Sequence, residues 1–300
     1  MPPASLPTPG SIATLRAGQE LEGVFACTRK DRLLSRAGAP YLAIELRDRS
    51  GSVQARAFRD ADVLAGRFER GDLVRVAGRV ERFRDELQVD LRAIARAPDG
   101  VADPAAFLPV AYRDLDELDG FLEHLAREVH DAGLRALLDD LLADAVLREA
   151  WRRAPCTRGG HHAYLGGLLE HTVAVATLAL ETCALHVRLD SDLLVAAAIV
   201  HDIGKTREFT YGAEIGVTDA GRLLGHVELG LALLRDRAAR IAQLDPGRFV
   251  ELAHCVLCHH GPDAAGGRAG IRFGSAEALA LHRINALDAA VKEALEHGLR

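Results

Sequence analysis

A histidine and an aspartate stand next to each other at the end of an apolar segment, Ala196-Ala-Ala-Ile-Val200, and are followed by Gly204 and Lys205. The apolar run predicts a buried helix that delivers His201 and Asp202 at its end, where Gly204 breaks it. Burying an imidazole beside a carboxylate is costly unless a metal ion or a dense hydrogen-bond network compensates. The pair is therefore the first candidate for chemistry in this chain.

Further candidate ligands lie on other predicted helices, and they are His171, His226, His259, His260 and Asp288. A single histidine on an apolar helix face is more often a hydrogen-bonded core residue than a ligand. Several helices that each offer an inward imidazole or carboxylate favour a metal centre instead. Such ligands suit Mn²⁺, Fe²⁺ or Zn²⁺, and a carboxylate can bridge two ions.

The elements that must position these residues fall into two parts. Over residues 11–98, apolar and polar residues alternate in five segments, and a short helix is expected near 60–68. This pattern predicts a small five-stranded OB-type β-barrel. Prolines without periodicity predict a linker over 99–113. Residues 114–300 predict an all-α domain with a short hairpin over 207–218. Its helices are expected at 115–131, 133–152, 163–187, 191–203, 221–243, 247–260 and 275–298.

Composition excludes several classes of protein. Hydrophobic residues make up 49% and charged residues 27% of the 300 residues, which is typical of a folded protein. We expect a cytoplasmic protein without a membrane segment, because no secretory signal and no apolar run of about 20 residues is seen. Five cysteines do not indicate a disulfide framework. The sequence is compatible with a homo-oligomer but does not specify one.

The order His171, His201-Asp202, Asp288 resembles the H…HD…D pattern of the HD superfamily of metal-dependent phosphohydrolases. His226 and the pair His259-His260 resemble the extra ligands of its two-metal members. The strings His161-His-Ala-Tyr-Leu-Gly-Gly-Leu-Leu-Glu-His-Thr172 and Gly225-His226 are similar to one branch, the YhaM-type 3′-5′ exoribonucleases. That branch carries an OB-fold ahead of an HD domain. The chain departs from the pattern at Asn285, where an acidic residue is frequent.

The resemblance implies a centre of two divalent ions, with Mn²⁺ expected first and Fe²⁺, Co²⁺, Zn²⁺ or Mg²⁺ as alternatives. One ion would be held by His171, His201, Asp202 and Asp288, and the other by Asp202 as a bridge with His226, His259 and His260. Asp202 and Lys205 are the implied catalytic residues, and Lys205 would bind the scissile phosphate.

His161 and His162 would bind the terminal nucleotide or its phosphate. They could equally cap the following helix or orient the metal ligands.

The implied activity is metal-dependent hydrolysis of single-stranded RNA from the 3′ end, releasing nucleoside monophosphates, with single-stranded DNA as a further substrate. One alternative is a phosphohydrolase of small or cyclic nucleotides. Another is a nucleic-acid-binding protein with a structural metal site. The spacing Cys255-x-x-Cys258-His259 fits haem attachment, but an apolar helix in an unexported chain favours small core residues instead.

Stacking aromatics beside cationic side chains are expected on a barrel that binds single-stranded nucleic acid. The candidates are Phe25, Tyr41, Phe58 and Phe83 with Arg47 and Arg56, and Arg75, Arg79 and Arg82 lie nearby in sequence. We expect salt-sensitive, sequence-tolerant binding rather than base readout.

Overall fold

The structure is a computed structural model that describes residues 11–35, 38–98, 100–103, 106–261 and 272–298. The chain divides into two compact units. The first comprises Met1–Pro109 and Tyr211–Gly216, and the second comprises Val110–Thr210 and Val217–Arg300.

The first unit contains a closed barrel of five strands in the order β1-β2-β3-β5-β4. The strands are β1 Glu20–Leu34, β2 Pro40–Asp48, β3 Gly51–Ala57, β4 Leu73–Phe83 and β5 Glu86–Arg96, and helix α1 Ala61–Ala65 follows β3. Only the β3–β5 pair is parallel among the described strands of the barrel. Alternate residues such as Leu42, Ile44 and Leu46 fill the interior, which confirms the predicted five-stranded OB-type barrel.

Strand β1 departs from simple alternation. Val24, Phe25, Ala26 and Cys27 are all buried in succession. Phe25 and Cys27 point into the barrel core, whereas Val24 and Ala26 belong to a separate apolar cluster that contains Phe107. Both faces of this stretch are therefore covered.

The second unit is helical, apart from the two halves of a short hairpin. Its helices are α2 Leu115–Arg127, α3 Ala132–Ala143, α4 Ala145–Arg153, α5 Gly167–Leu185, α6 Ser191–Val200, α7 Lys205–Glu208, α8 Asp219–Ala238, α9 Pro246–Cys258 and α10 Ala276–His297. The predicted hairpin is confirmed as β6 Phe209–Tyr211 and β7 Ile215–Val217. The predicted α-helical domain is thereby confirmed in type, with helix ends that shift by a few residues.

One predicted helix, 133–152, is wrong, because two helices occupy that segment. Asp144 has an extended conformation (φ −76°, ψ 100°), and its side chain accepts hydrogen bonds from the amides of Val146 and Leu147. It therefore caps α4 and ends the preceding helix. The apolar spacing continues across the break, so periodicity alone does not reveal it.

Helices α5 and α6 lie at the centre of the helical core. All of α6 from Leu193 to Val200 is buried. By length and composition, α5 is the one helix of the described residues that could span a membrane, but a core helix passes the same test. It carries the buried polar residues Glu170 and His171, which identifies it as a structural support for a polar site.

Candidate metal centre

The turn after α6 brings the His201-Asp202 pair against α8. His201 continues the helical conformation, and Gly204 is the N-cap residue that precedes the short helix α7. A side chain at Gly204 would overlap the carbonyl oxygen of His226 and would come within 2.5 Å of the Gly230 amide nitrogen. The glycine is thus required for the close approach that places His226 beside Asp202.

Asp202 faces a different group of imidazoles with each carboxylate oxygen. Its Oδ2 lies 3.3 Å from Nε2 of His201 and 3.5 Å from Nε2 of His171. Its Oδ1 lies 3.3 Å from Nε2 of His226 and 3.4 Å from Nε2 of His259. The Nε2 atom of His260 is 2.8 Å from that of His226. The side chain therefore joins two clusters of potential ligands.

Two buried atoms of this arrangement lack a hydrogen-bond partner among the described residues, and they are Asp202 Oδ1 and His259 Nε2. An unsatisfied buried polar atom is costly. A carboxylate oxygen and imidazole nitrogens that converge on one point are the ligands that Mn²⁺, Fe²⁺ and Zn²⁺ accept. The residues present therefore fit a divalent metal centre, although they do not identify the metal.

Backbone carbonyls fix which ring nitrogen faces the centre. Nδ1 of His201 lies 2.8 Å from the Ala198 carbonyl oxygen, and Nδ1 of His259 lies 2.6 Å from that of Val256. Each carbonyl accepts a hydrogen bond from Nδ1–H, so Nε2 is left as the acceptor that a metal needs.

The electrostatics of the centre also favour metal binding. Burial lowers the pKa of His171 and of His259 to about 4 and that of His260 to about 2. Burial alone would raise the pKa of Asp202, but Lys205 and His201 hold it well below its usual value. Near neutral pH the imidazoles of His171, His259 and His260 are thus neutral and the Asp202 carboxylate is ionised, the forms that bind metals.

Lys205 is a buried cation next to the bridging carboxylate. Its Nζ lies 2.6 Å from Asp202 Oδ2 and 3.3 Å from Cys156 Sγ. Burial would lower the pKa of Lys205, but the charge of Asp202 raises it above its usual value. The ammonium group therefore stays charged. No signal in the sequence pointed to Cys156 at this site.

Asp288 is placed differently from the other predicted ligands. Its Oδ2 lies 2.6 Å from Nδ1 of His171 and 3.1 Å from Nε2 of His162. It groups with these two histidines, whereas His201 and Asp202 group with the opposite nitrogen of His171. Asp288 Oδ2 thus contacts the ring nitrogen of His171 that faces away from His201, and the role of Asp288 as a metal ligand stays a prediction.

A cavity of about 370 Å³ opens onto the centre. His161, Lys205, Glu208, His226 and His260 supply polar walls, and the remaining lining residues are Cys156, Thr157, Phe209, His259, His282, Asn285, Ala286 and Ala289. Of the two predicted substrate-binding histidines, His161 lines the cavity, whereas His162 is only 1% exposed and does not. Glu208 was missed by the sequence analysis, and its carboxylate lies 3.5 Å from Nδ1 of His226.

The departure at Asn285 has a structural reason. Its Nδ2 lies 3.4 Å from the carbonyl oxygen of His259, to which it donates. An ionised carboxylate at that position could not donate this hydrogen bond.

Residues 168–294 match the HD domain family, and residues 26–95 match a family described as OB-fold nucleic acid binding domain. Three relatives are named 3′-5′ exoribonuclease YhaM. The protein of Shouchella clausii is 28% identical over 251 residues, which cover 82% of this chain and 76% of the relative. That of Bacillus velezensis is 27% identical over 275 residues, 91% and 85% of the two chains. That of Halalkalibacterium halodurans is 26% identical over 253 residues, 83% and 77%.

This chain is similar in sequence to these three proteins named 3′-5′ exoribonuclease YhaM. The similarity extends over most of its length and includes both an OB-fold and an HD domain. Among solved structures, the second OB-fold domain of replication protein A from Methanococcus maripaludis covers 30% of this chain and 96% of its own chain, with 16% identity and a TM-score of 0.25.

The OB-fold presents an aromatic and cationic surface. The rings of Tyr41 and Phe58 stack with centroids 5.2 Å apart. The Arg56 guanidinium lies 5.7 Å from the Tyr41 ring and 5.5 Å from the Phe83 ring, and Arg84 lies 5.3 Å from Phe83. Phe58 and Phe83 are about half exposed, at 54% and 48%. This surface, called here the aromatic platform, can stack with nucleic-acid bases.

Two other barrel candidates do not belong to the aromatic platform. Phe25 is fully buried in the barrel core, so its ring cannot reach a base. Arg47 is partly buried and donates a hydrogen bond to the carbonyl oxygen of Ala213 within the first unit. The predicted nucleic-acid role of Phe25 is therefore wrong, and Arg47 has a structural partner instead.

Proposed function

We propose that this protein is a metal-dependent 3′-5′ exoribonuclease that hydrolyses phosphodiester bonds of single-stranded RNA and releases nucleoside monophosphates. The observation that carries the proposal is the placement of Asp202, because each of its two carboxylate oxygens faces a different cluster of imidazoles. The homology to YhaM exoribonucleases supports the substrate class. Single-stranded DNA is a second substrate to test.

In this proposal His171, His201, Asp202 and Asp288 would hold one divalent ion, and Asp202, His226, His259 and His260 would hold the other. When bound, two such ions would supply an activated water and would stabilise charge on the phosphate oxygens. Mn²⁺ is the ion to try first, followed by Fe²⁺, Co²⁺, Zn²⁺ and Mg²⁺. The protein's part is to keep the imidazoles neutral and the carboxylate ionised, which burial and Lys205 achieve.

Lys205 is suited to bind the scissile phosphate. An ammonium group has three N–H donors. Two of them are directed to Asp202 and Cys156, and the side chain lines the cavity. The third donor can reach a phosphate oxygen and stabilise the charge that develops there. His161 lines the same cavity and would contact the terminal nucleotide.

The aromatic platform would bind the RNA strand upstream of the cleaved end. Stacking on Tyr41, Phe58 and Phe83 tolerates any base, and Arg56 and Arg84 attract the backbone. Such binding depends on salt and does not read the sequence.

The test uses linear single-stranded RNA with a 5′ label, incubated with purified protein and Mn²⁺. We expect a ladder that shortens from the 3′ end and disappears with chelator or with Asp202→Asn. A circular RNA of the same sequence provides the matched control, because an exonuclease cannot begin on it.

Cleavage of the circle would contradict the exonuclease proposal. Intact linear RNA with metal-loaded protein would also refute it. Small and cyclic nucleotides, for which the cavity of about 370 Å³ has room, would then be the substrates to screen.

A further inference from the structure

The cavity at the metal centre combines two kinds of lining. Polar side chains such as Lys205 and His226 line the part that the proposed function assigns to the phosphate and the metal centre. Phe209, Ala286 and Ala289 also line the cavity, and we call these three residues the apolar wall. Their side chains have no hydrogen-bond donor or acceptor. They therefore cannot bind a phosphate, and the proposed function leaves them without a role.

Helix α10 supplies the rigid part of the apolar wall. Four of its residues lie on one helix face at positions i, i+3, i+4 and i+7 and line the cavity, and they are His282, Asn285, Ala286 and Ala289. Nδ1 of His282 lies 3.0 Å from the carbonyl oxygen of His259, and Nδ2 of Asn285 donates to the same oxygen at 3.4 Å. These two donors are already engaged, so the alanines form the part of this face that is open to a ligand.

Phe209 is placed by the same short helix that carries Lys205. It follows the four residues of α7 and ends that helix with an extended conformation (φ −106°, ψ 151°). Four helical residues correspond to a rise of about 6 Å, which is similar to the span from the phosphate to the base within one nucleotide. Both side chains line the cavity. A phosphate bound at Lys205 therefore leaves its base within reach of the Phe209 ring.

The size of the cavity suits a single nucleotide. Its volume of about 370 Å³ lies near the lower end of the range for small-molecule sites, which is about 300–1,000 Å³. A longer side chain than alanine at position 286 or 289 would project into this space. The two alanines therefore keep room for a planar group beside the metal centre.

We propose that the apolar wall is the subsite for the base of the 3′-terminal nucleotide, which stacks on the Phe209 ring and packs against Ala286 and Ala289. Stacking uses the π-face that every base has, so the subsite accepts all four bases. The inference rests on the proposed function for the identity of the substrate, and it adds the residues that hold the terminal base.

The contribution of the base is measured by comparing two ligands of the Mn²⁺-loaded, full-length protein. Adenosine 5′-monophosphate is the expected product, and ribose 5-phosphate has the same sugar and phosphate without the base. Isothermal titration calorimetry gives both dissociation constants, and their ratio reports on the base alone. Stacking on an aromatic side chain changes affinity by roughly 5- to 150-fold. We expect a ratio of about 10 in the wild type, and similar ratios for the other three nucleoside monophosphates.

Variants of Phe209 test the aromatic ring. Phe209→Ala should lower the ratio to about 1 and leave the affinity for ribose 5-phosphate as in the wild type. Phe209→Leu keeps apolar volume without the ring and should give an intermediate ratio. The matched control is Phe121→Ala at an exposed phenylalanine on α2, which should keep the wild-type ratio.

Variants of α10 test the space beside the ring. Ala289→Leu fills the subsite and should weaken binding of adenosine 5′-monophosphate by about tenfold while ribose 5-phosphate still binds. Ala290→Leu is the matched control, because it adds the same side chain at the next residue, which is exposed and does not line the cavity.

The same subsite should affect the removal of the terminal nucleotide from RNA. The wild type should remove a terminal abasic ribose about tenfold more slowly than a terminal adenosine. Phe209→Ala should remove both at similar rates, because the base and the ring lose the same interaction.

A purely structural role of Phe209 makes a different prediction. It would lower the melting temperature and weaken both ligands equally, so an unchanged ratio in Phe209→Ala would overturn the proposal. A wild-type ratio of about 1, or no binding of adenosine 5′-monophosphate, would also overturn it. If RNA stays intact while the ratio depends on Phe209, the exonuclease function fails and the base subsite stands. If RNA is degraded but the ratio does not depend on Phe209, the subsite fails and the function stands.

Discussion

Asp202→Asn should destabilise the metal-free protein strongly, because it removes the charge that balances a buried cation. The Lys205 side chain is 7% exposed, and its Nζ lies 2.6 Å from Asp202 Oδ2. Its other partner, Cys156, is a neutral thiol, since burial raises the pKa of Cys156 to about 12. Removing one partner of a buried ion pair costs about 3–5 kcal/mol. We expect the free energy of unfolding to fall by that amount.

The single tryptophan makes this change measurable in the second, helical unit alone. Trp151 is 1% exposed, belongs to the helical core and donates a hydrogen bond to Thr172 at 3.3 Å. Urea unfolding in chelator, followed by tryptophan fluorescence, therefore reports on this unit. With a slope of about 2 kcal/mol per molar urea, the midpoint should fall by roughly 2 M.

Two further variants separate charge from other effects. Asp202→Asn/Lys205→Met removes both charges and should recover most of the lost stability, because no unpaired cation remains. Asp219→Asn, at a carboxylate whose side chain is 92% exposed, should change stability by less than about 0.5 kcal/mol. The reasoning is refuted if Asp202→Asn lies within about 1 kcal/mol of wild type, or if the double variant is as unstable as the single one.

Acid should release the metal only at low pH. Because the pKa values of His171 and His259 are lowered to about 4, protonation of these two ligands should weaken Mn²⁺ binding, measured by electron paramagnetic resonance, mainly below about pH 5; an affinity that stays level between about pH 5 and pH 4 would contradict the assignment. The metal-free protein should lose stability as pH falls from 6.5 toward 4, because the unfolded state then binds more protons. The loss is on the order of 2 kcal/mol for each of these imidazoles at about pH 5, read from the urea midpoint; a flat profile would count against neutral buried histidines. Phe58→Ala should weaken RNA binding in chelator by about 1–3 kcal/mol, measured by fluorescence anisotropy, whereas Phe121→Ala on α2, at a phenylalanine of similar exposure, should not.

Periodic apolar patterns predict most of the fold because they decide which face of an element is buried. They identify the five strands and six of the seven long helical segments, and they place the pair His201-Asp202 at the end of α6. They fail at Asp144, where a polar residue that also caps a helix interrupts a pattern that otherwise continues.

The error at Phe25 has a related cause. Sequence alternation assigns residues to two faces of a strand, but it does not tell whether the outer face is covered. In β1 Val24 and Ala26 on the outer face pack into their own apolar cluster, so neither face of this stretch is open to a ligand. Directly after β3, the same alternation leads to an exposed Phe58. Only the three-dimensional neighbours separate these two aromatic residues.

Ligand types are visible in the sequence, whereas ligand atoms are not. The spacing of His171 and Asp288 indicates that both belong to one site, but it does not show that Asp288 takes Nδ1 of His171 and leaves Nε2 to the centre. That assignment depends on an interaction between residues 117 positions apart. The same holds for Cys156, which reaches Lys205 from a segment without a recognisable pattern.

The residues from His201 to Lys205 perform several functions of the centre within one short segment of the chain. His201 belongs to one imidazole cluster, and Asp202 lies between both clusters. Gly204 permits the close approach of α8, and the charge of Lys205 balances that of the Asp202 carboxylate. Backbone geometry fixes these residues relative to one another, so their order in the sequence must be kept. They are therefore the clearest sequence signal of the metal centre. The remaining imidazoles arrive on separate helices, and their orientation depends on partners such as the Val256 carbonyl oxygen, which faces Nδ1 of His259. Such partners are the part of the centre that only a structure reveals.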